Sequence, residues 1–189
     1  AISTAKDKTL KVWSLDDGTE RHVLRGHTKP VTGVTVTSDG QYAISSSKDK
    51  TIRVWDLEQG ACLQTLRGHE ASVETVVLTG ESGRVASASI DGTIRIWDLK
   101  TGAELCSLMD TIGIRHIAVT PDGRRIISVS SEHTLKVWDV ERCEELHVLA
   151  GHSRSIEAVA ISPDGKVAVS ASWDHTLKVW DIDRGIELR

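Results

Sequence analysis

Along most of its length the chain alternates apolar and polar positions and breaks at short polar turns. In 31–37, VTGVTVT sets valines among smaller or polar residues, the period-2 signature of a strand with one covered face. SDG at 38–40 reads as a turn, YAISSS at 42–47 as the next strand and KDK as a tight reversal. TIRVWDL at 51–57 is a third strand, EQG turns the chain again, and CLQTL at 62–66 is a fourth. Further along, TPDG and SPDG stand at the first turn, where a proline suits a tight reversal. No window keeps helical periodicity over ten residues. The expected class is all-β.

The four-strand pattern recurs. The tryptophans that close each unit are Trp13, Trp55, Trp97, Trp138 and Trp180, spaced 42, 42, 41 and 42 residues apart. Six residues before each stands an acid: Asp7, Asp49, Asp91, Glu132 and Asp174. Twenty-two residues before three of those acids stands a histidine in a Gly-His pair, at His27, His69 and His152. The expected units are 1–25 (partial), 26–67, 68–108, 109–150 and 151–189. The chain opens inside a second strand, AISTA, and stops at GIELR, at or inside a fourth.

Composition narrows the function classes. Phe is absent and Tyr42 is the single Tyr beside six Trp, so Val, Ile, Leu and Ala must fill the core. The formal net charge of −4, with no cluster of Lys and Arg, argues against nucleic acid. No apolar stretch approaches the roughly 18 residues of a membrane span, and AISTAKDKTL carries no signal-peptide core. The expectation is a cytoplasmic protein with no membrane partner and no cofactor. Cys62, Cys106 and Cys143 lack metal-ligand spacing and are expected as reduced thiols, with no metal bound.

SASWDHTLKVWDI at 170–182 contains Ser, Asp and His, the residue types of a hydrolytic triad. Related stretches end at Leu57, Leu99 and Val140, and the N-terminus offers a fifth version. A motif present five times in 189 residues reads as architecture rather than catalysis. His175 falls in the slot held by Lys50 and Gly92 elsewhere, which makes it a turn residue.

The Gly-His pairs, the acid six before each Trp, and the pairs Trp55-Asp56, Trp97-Asp98, Trp138-Asp139 and Trp180-Asp181 resemble the WD-repeat family over essentially the whole chain. Trp13-Ser14 is a mild departure. The resemblance implies a β-propeller of four-stranded antiparallel blades, about five of them here, as part of a seven-bladed or larger ring. Five such blades would leave an open arc with raw faces, closed by further blades of a longer chain or by other copies. It also implies hydrogen-bonded sets: His27, Asp49 and Trp55 with Ser45 or Ser47; His69, Asp91 and Trp97 with Ser87 or Ser89; His152, Asp174 and Trp180 with Ser170 or Ser172. A buried indole N–H and a buried carboxylate both need partners, which is the physical sense of such a set. The fourth unit departs from it, with Met109-Asp110 in place of Gly-His, Glu132 as the acid and a leading loop one residue short. That blade is expected to be held by packing alone and to have the least ordered leading loop.

For function, the resemblance implies a non-catalytic protein–protein interaction scaffold. Repeats this alike, with plain PDG turns, look similar to those appended to kinases or signalling ATPases in bacterial multidomain proteins, which suggests a sensor or regulatory role. Alternatives are a fragment that closes a ring from several copies, and an enzyme using the central channel, for which the singletons His116, His133 and Cys143 give no ligand spacing. The implied contact positions for a protein or peptide surround the channel mouth. One set precedes the turn acid: Lys6, Lys48, Ile90, Ser131 and Trp173. The others follow the motif His by three and five: Pro30 and Thr32, Ser72 and Glu74, Ser155 and Glu157, matched by Gly113 and Arg115 in the irregular unit. Trp173, the one Trp outside the repeat pattern, and apolar Ile90 have the chemistry of an interface hot spot.

Overall fold

The computed structural model describes residues 1–80, 83–110, 113–130 and 132–189. These form nineteen strands in five antiparallel sheets, with no helix among the described residues. The first sheet has three strands, β1 (Ile2–Thr4), β2 (Leu10–Trp13) and β3 (Glu20–Leu24). Each of the others has four in chain order. The second sheet is β4 (Val31–Val36), β5 (Tyr42–Ser47), β6 (Thr51–Asp56) and β7 (Ala61–Arg67). The third is β8 (Val73–Leu78), β9 (Arg84–Ser89), β10 (Thr93–Asp98) and β11 (Glu104–Met109). The fourth is β12 (His116–Val119), β13 (Arg125–Val129), β14 (Thr134–Asp139) and β15 (Glu144–Ala150). The fifth is β16 (Ile156–Ile161), β17 (Val167–Ser172), β18 (Leu177–Asp181) and the short β19 (Ile186–Glu187).

Local chemistry sets the turns. At the first turn of a blade, Asp39, Asp122 and Asp164 each accept a hydrogen bond from a Thr or Ser two residues earlier and an amide two residues later, closing a tight loop. In the tight turns after the motif acid, Lys8, Lys50, Gly92, His133 and His175 share one left-handed conformation, with φ between 64° and 84°. His175 is thus a turn residue. A bulge interrupts the register just before Trp13, Trp55, Trp97 and Trp138, and re-aims the indole that follows.

The core lies between the sheets, in four clusters at four seams. Trp55 of the second sheet packs on Leu10, Val12 and Leu24 of the first. Trp97 packs on Ile44, Ile52 and Leu66, Trp138 on Ile94, Ile96 and Leu108, and Trp180 on Leu135, Val137 and Leu149. Each blade therefore covers the face of the one before it, and neither end of the series is covered. Leu177 is 68% exposed, whereas Ile52, Ile94 and Leu135 at the same position are fully buried. At the other end Leu15 is 82% exposed where its counterpart Ile182 is buried. The molecule is a partial propeller.

One expectation is overturned. Cys106 and Cys143 are joined in a disulfide, with Cα atoms 6.3 Å apart, and only Cys62 is a free, exposed thiol. The two cysteines are 37 residues apart in sequence. The blade stacking brings the outermost strand of the third sheet beside the β14–β15 turn of the fourth.

Candidate functional site: the hydrogen-bonded clips and the face they organise

At three blades the Gly-His loop, the second strand, the tight turn and the third strand meet in one relay. His27 Nδ1 lies 2.8 Å from Asp49 Oδ2, its Nε2 lies 2.8 Å from Ser45 Oγ, and Trp55 Nε1 donates to the same Oγ at 2.8 Å. His69, Asp91, Ser87 and Trp97 repeat this at 2.9, 2.7 and 2.8 Å. His152, Asp174, Ser170 and Trp180 do so at 2.7, 2.7 and 2.8 Å. The first serine of each candidate pair is the relay member. Ser47 and Ser172 instead donate to carbonyls of the leading loop, and Ser47, Ser89 and Ser172 each accept the acid's amide.

Donor and acceptor roles close without a charge on the imidazole. The indole N–H donates to serine, the serine O–H to Nε2, and Nδ1–H to the carboxylate. Ser–His–Asp connectivity is therefore present three times, yet it is not a nucleophile relay. Ser45, Ser87 and Ser170 have no exposed surface, and their oxygens are occupied by the indole. Two further members went unnoticed in the sequence. Thr51, Thr93 and Thr176 donate to the second carboxylate oxygen at 2.6–2.7 Å. The amides of Thr28, Glu70 and Ser153 donate to the first. A threonine two residues after each acid, in all five units, was a legible signal.

Burial of this relay sets its proton chemistry. Burial holds His27 and His69 below the usual histidine value of 6.5, outweighing the upward pull of Asp49 and Asp91. Burial pushes Asp49 and Asp91 up, but the threonine hydroxyl, the backbone amide and the histidine outweigh it and hold both below 3.8. Below pH 6.5 an unfolded histidine takes a proton that folded His27 and His69 refuse, so acid favours the unfolded chain. His116, also lowered by burial, adds in the same direction. The expected profile is flat above about pH 7.5, falls below about 6.5 as histidines protonate, and falls again below about 3.8 as the depressed carboxylates titrate. Urea midpoints across pH 3 to 8 check this, and a midpoint rising from pH 7 to 5.5 would contradict it.

A comparison with models of protein families matches the WD domain, G-beta repeat, at residues 18–56, 60–98, 106–139 and 143–181, more than half of the chain. The chain belongs to the WD40 family. WD40 domains are non-catalytic and generally act as protein-interaction scaffolds. A comparison with curated proteins finds no match. Among the described residues no group of His, Cys, Asp or Glu is arranged to hold a metal ion.

In the irregular WD40 blade Trp138 still donates to Ser128, at 2.8 Å. The expectation that packing alone holds this blade is incorrect. Asp110 is fully buried at its side chain and lies 2.9 Å from Lys136 Nζ, which also lies 3.0 Å from Glu145. In the neighbouring blades the equivalent cation, Arg95 or Lys178, lies against the glycine of Gly-His and pairs with Glu104 or Glu187. An acid in the histidine slot reaches that cation instead of Glu132. Ile114, from the leading loop, is buried in the seam with the third sheet. Residues 111 and 112 of that loop, on which the expectation of least order partly falls, lie outside the described residues.

The clips hold the leading loop beside the tight turn, and in each of the three clipped blades one backbone bond joins two sets of expected contact positions. Lys48 N donates to Pro30 O, Ile90 N to Ser72 O and Trp173 N to Ser155 O, at 2.9–3.0 Å. Ile90, Gly113, Arg115, Ser155, Glu157 and Trp173 line one cleft of about 600 Å3, with His116, Val129, Ser130 and Ile156. Trp173 is 58% exposed, and its indole N–H donates to Glu157. Lys6 and Lys48 are exposed and do not line the cleft. Thr32 donates to Val73 O of the next sheet, and Ser72 donates to Glu74, so these three polar side chains are engaged internally. Ser131 lies outside the described residues.

Proposed function

We infer that this WD40 chain is a scaffold that takes a protein or peptide partner at the cleft beside Trp173. One observation carries the reading. Six of the thirteen contact positions expected from sequence line a single cleft, and its exposed aromatic side chain has a polar anchor, Glu157, at its edge. An aromatic ring fixed by a hydrogen bond loses little freedom on binding, and Ile90 and Ile156 offer apolar surface beside it. Arg115 and Glu157 supply both charges for orienting a backbone or side chain. Peptides selected from a random displayed library against this protein are expected to bind about 30-fold more weakly to Trp173→Ala, and unchanged to Leu63→Ala on a distant strand. Selected peptides indifferent to Trp173→Ala would overturn the reading.

The end faces favour a second, compatible role. The face of the fifth sheet around Val169 and Leu177 repeats positions that are buried at every internal seam, and the face around Trp13 and Leu15 repeats the surface that covers them. These faces take a further blade, from the same longer chain in a seven-bladed or larger ring, or from another copy. Light scattering after size exclusion separates the sources. A defined multiple of 20.6 kDa assigns closure to copies, an aggregating or polydisperse sample assigns it to other blades of a longer chain, and a clean monomer that unfolds cooperatively would overturn the open-ring reading. A sensor role within a multidomain signalling protein accords with the second outcome.

A further inference from the structure

On the rim opposite the tight turns, each seam carries a second repeated contact. The residue nine after one tryptophan reaches the turn that follows the next tryptophan. His22 Nε2 donates to Glu58 O at 3.1 Å, Gln64 Nε2 to Lys100 O at 3.4 Å, and His147 Nε2 to Asp183 O at 2.9 Å. Beneath each side chain lies a left-handed glycine: Gly60, Gly102 and Gly185, with φ of 66°, 73° and 67°. A Cβ on Gly60 would stand 2.7 Å from the His22 ring, and one on Gly185 would stand 2.5 Å from that of His147. The slot therefore excludes any side chain while a histidine fills it.

The third seam breaks both halves of the rule together. Cys106 stands in the His/Gln position, and Cys143, with φ 56°, stands in the glycine position. A non-glycine residue there is conformationally unfavourable, and it fits only because its partner across the seam is small. The disulfide takes the place of the hydrogen bond. This seam also leads into the blade that lacks the His–Asp clip. Cys143 is exposed and Cys106 half-buried, so a reductant reaches the bond.

We propose that Cys106 and Cys143 are a reversible thiol–disulfide site that reacts with dithiols, and that its oxidised form clamps the irregular blade to its neighbour. A thiolate of the dithiol attacks the exposed Cys143 sulfur, the Cys106–Cys143 bond breaks, and Cys106 leaves as a thiolate and is protonated. The second thiol of the reagent then displaces Cys143 from the mixed disulfide. Two electrons and two protons pass to the protein, and the dithiol leaves as a disulfide. In the reduced form no polar contact of the His/Gln type replaces the bond, so this seam becomes the loosest of the four.

The test uses the full chain carrying Cys62→Ser, which removes the free thiol. Thiol titration of the diamide-treated, unfolded protein is expected to find none, and two after dithiothreitol. Reduction is expected to lower Tm by about 5–10 °C, and to raise amide exchange at least tenfold in β11 and the β14–β15 turn. The double variant Cys106→Gln, Cys143→Gly installs the pair used at the second seam. It should fold, and its Tm should not respond to dithiothreitol. Two titratable thiols after diamide treatment would overturn the proposal. So would a Tm and exchange pattern of the parent protein that reduction leaves unchanged.

Discussion

Replacing Trp97 by alanine is expected to lower stability by about 3–5 kcal/mol, the cost of a large cavity in a packed core. Trp97 is 2% exposed and fills the seam among Ile44, Ile52, Val54 and Leu66 of one blade and Val73, Val76 and Val85 of its own. Its indole also holds Ser87, which holds His69. The variant thus loses packing and slackens the clip at once. For a chain of this size the loss corresponds to a fall in Tm of roughly 10–15 °C. Trp97→Phe separates the two contributions, because it keeps most of the ring and removes the donor, and should cost about 1–2 kcal/mol. Trp13→Ala is the internal control. Trp13 closes the same motif but is only half-buried, with no blade in front of it, and should cost about 1 kcal/mol. Urea melts of the three variants decide the matter, and equal losses for Trp13→Ala and Trp97→Ala would contradict the seam argument.

Lys136→Met is expected to cost about 3 kcal/mol, far more than the same change at Lys178. The difference lies in the partners. Asp110 is fully buried at its side chain, whereas Glu187, the partner of Lys178, is about one-third exposed. Removing the cation takes the counter-charge from a carboxylate that water does not reach, while an exposed carboxylate is rehydrated at little cost. Lys178→Met should therefore cost less than about 1 kcal/mol. Adding Asp110→Asn to Lys136→Met should recover part of the loss, since it removes the buried charge. Denaturant midpoints of the four proteins form the comparison. Similar costs for Lys136→Met and Lys178→Met would show that Asp110 does not depend on its cation.

Both predictions rest on what lies across a seam, where legibility in the sequence ends. The period, the strand order within a blade and the three clip pairs could be read because each is a fixed offset along one chain. His27 and Asp49 sit at the same separation as His69 and Asp91, and a repeated offset between a loop residue and a turn residue marks one recurring contact. The choice of Ser45 over Ser47 could not be read. Both point to the same side of β5, and only the reach of the Trp55 indole distinguishes them.

Asp110 shows the same limit from the other side. Its sequence partner by offset is Glu132, and two acids in register suggest a lost interaction. Lys136, two residues before Trp138, reaches Asp110 only because β14 runs past the leading loop with its cation turned inward. The Cys106–Cys143 bond is further still from sequence reading. It joins two blades at positions whose equivalence becomes visible only when Gly60, Gly102 and Gly185 are seen packed beneath side chains of the preceding sheet.

The amino-acid sequence by itself determined the all-β class and the repeat of about 42 residues, and its resemblance to the WD40 family pointed to the three clips. Those features follow from local periodicity and from contacts within one repeat. Tertiary structure alone decided which serine completes each relay, which cation answers Asp110, which two cysteines meet, and which contact positions converge on the Trp173 cleft. These depend on how one twisted sheet stacks on the next, and stacking geometry sets distances that no offset along the chain encodes.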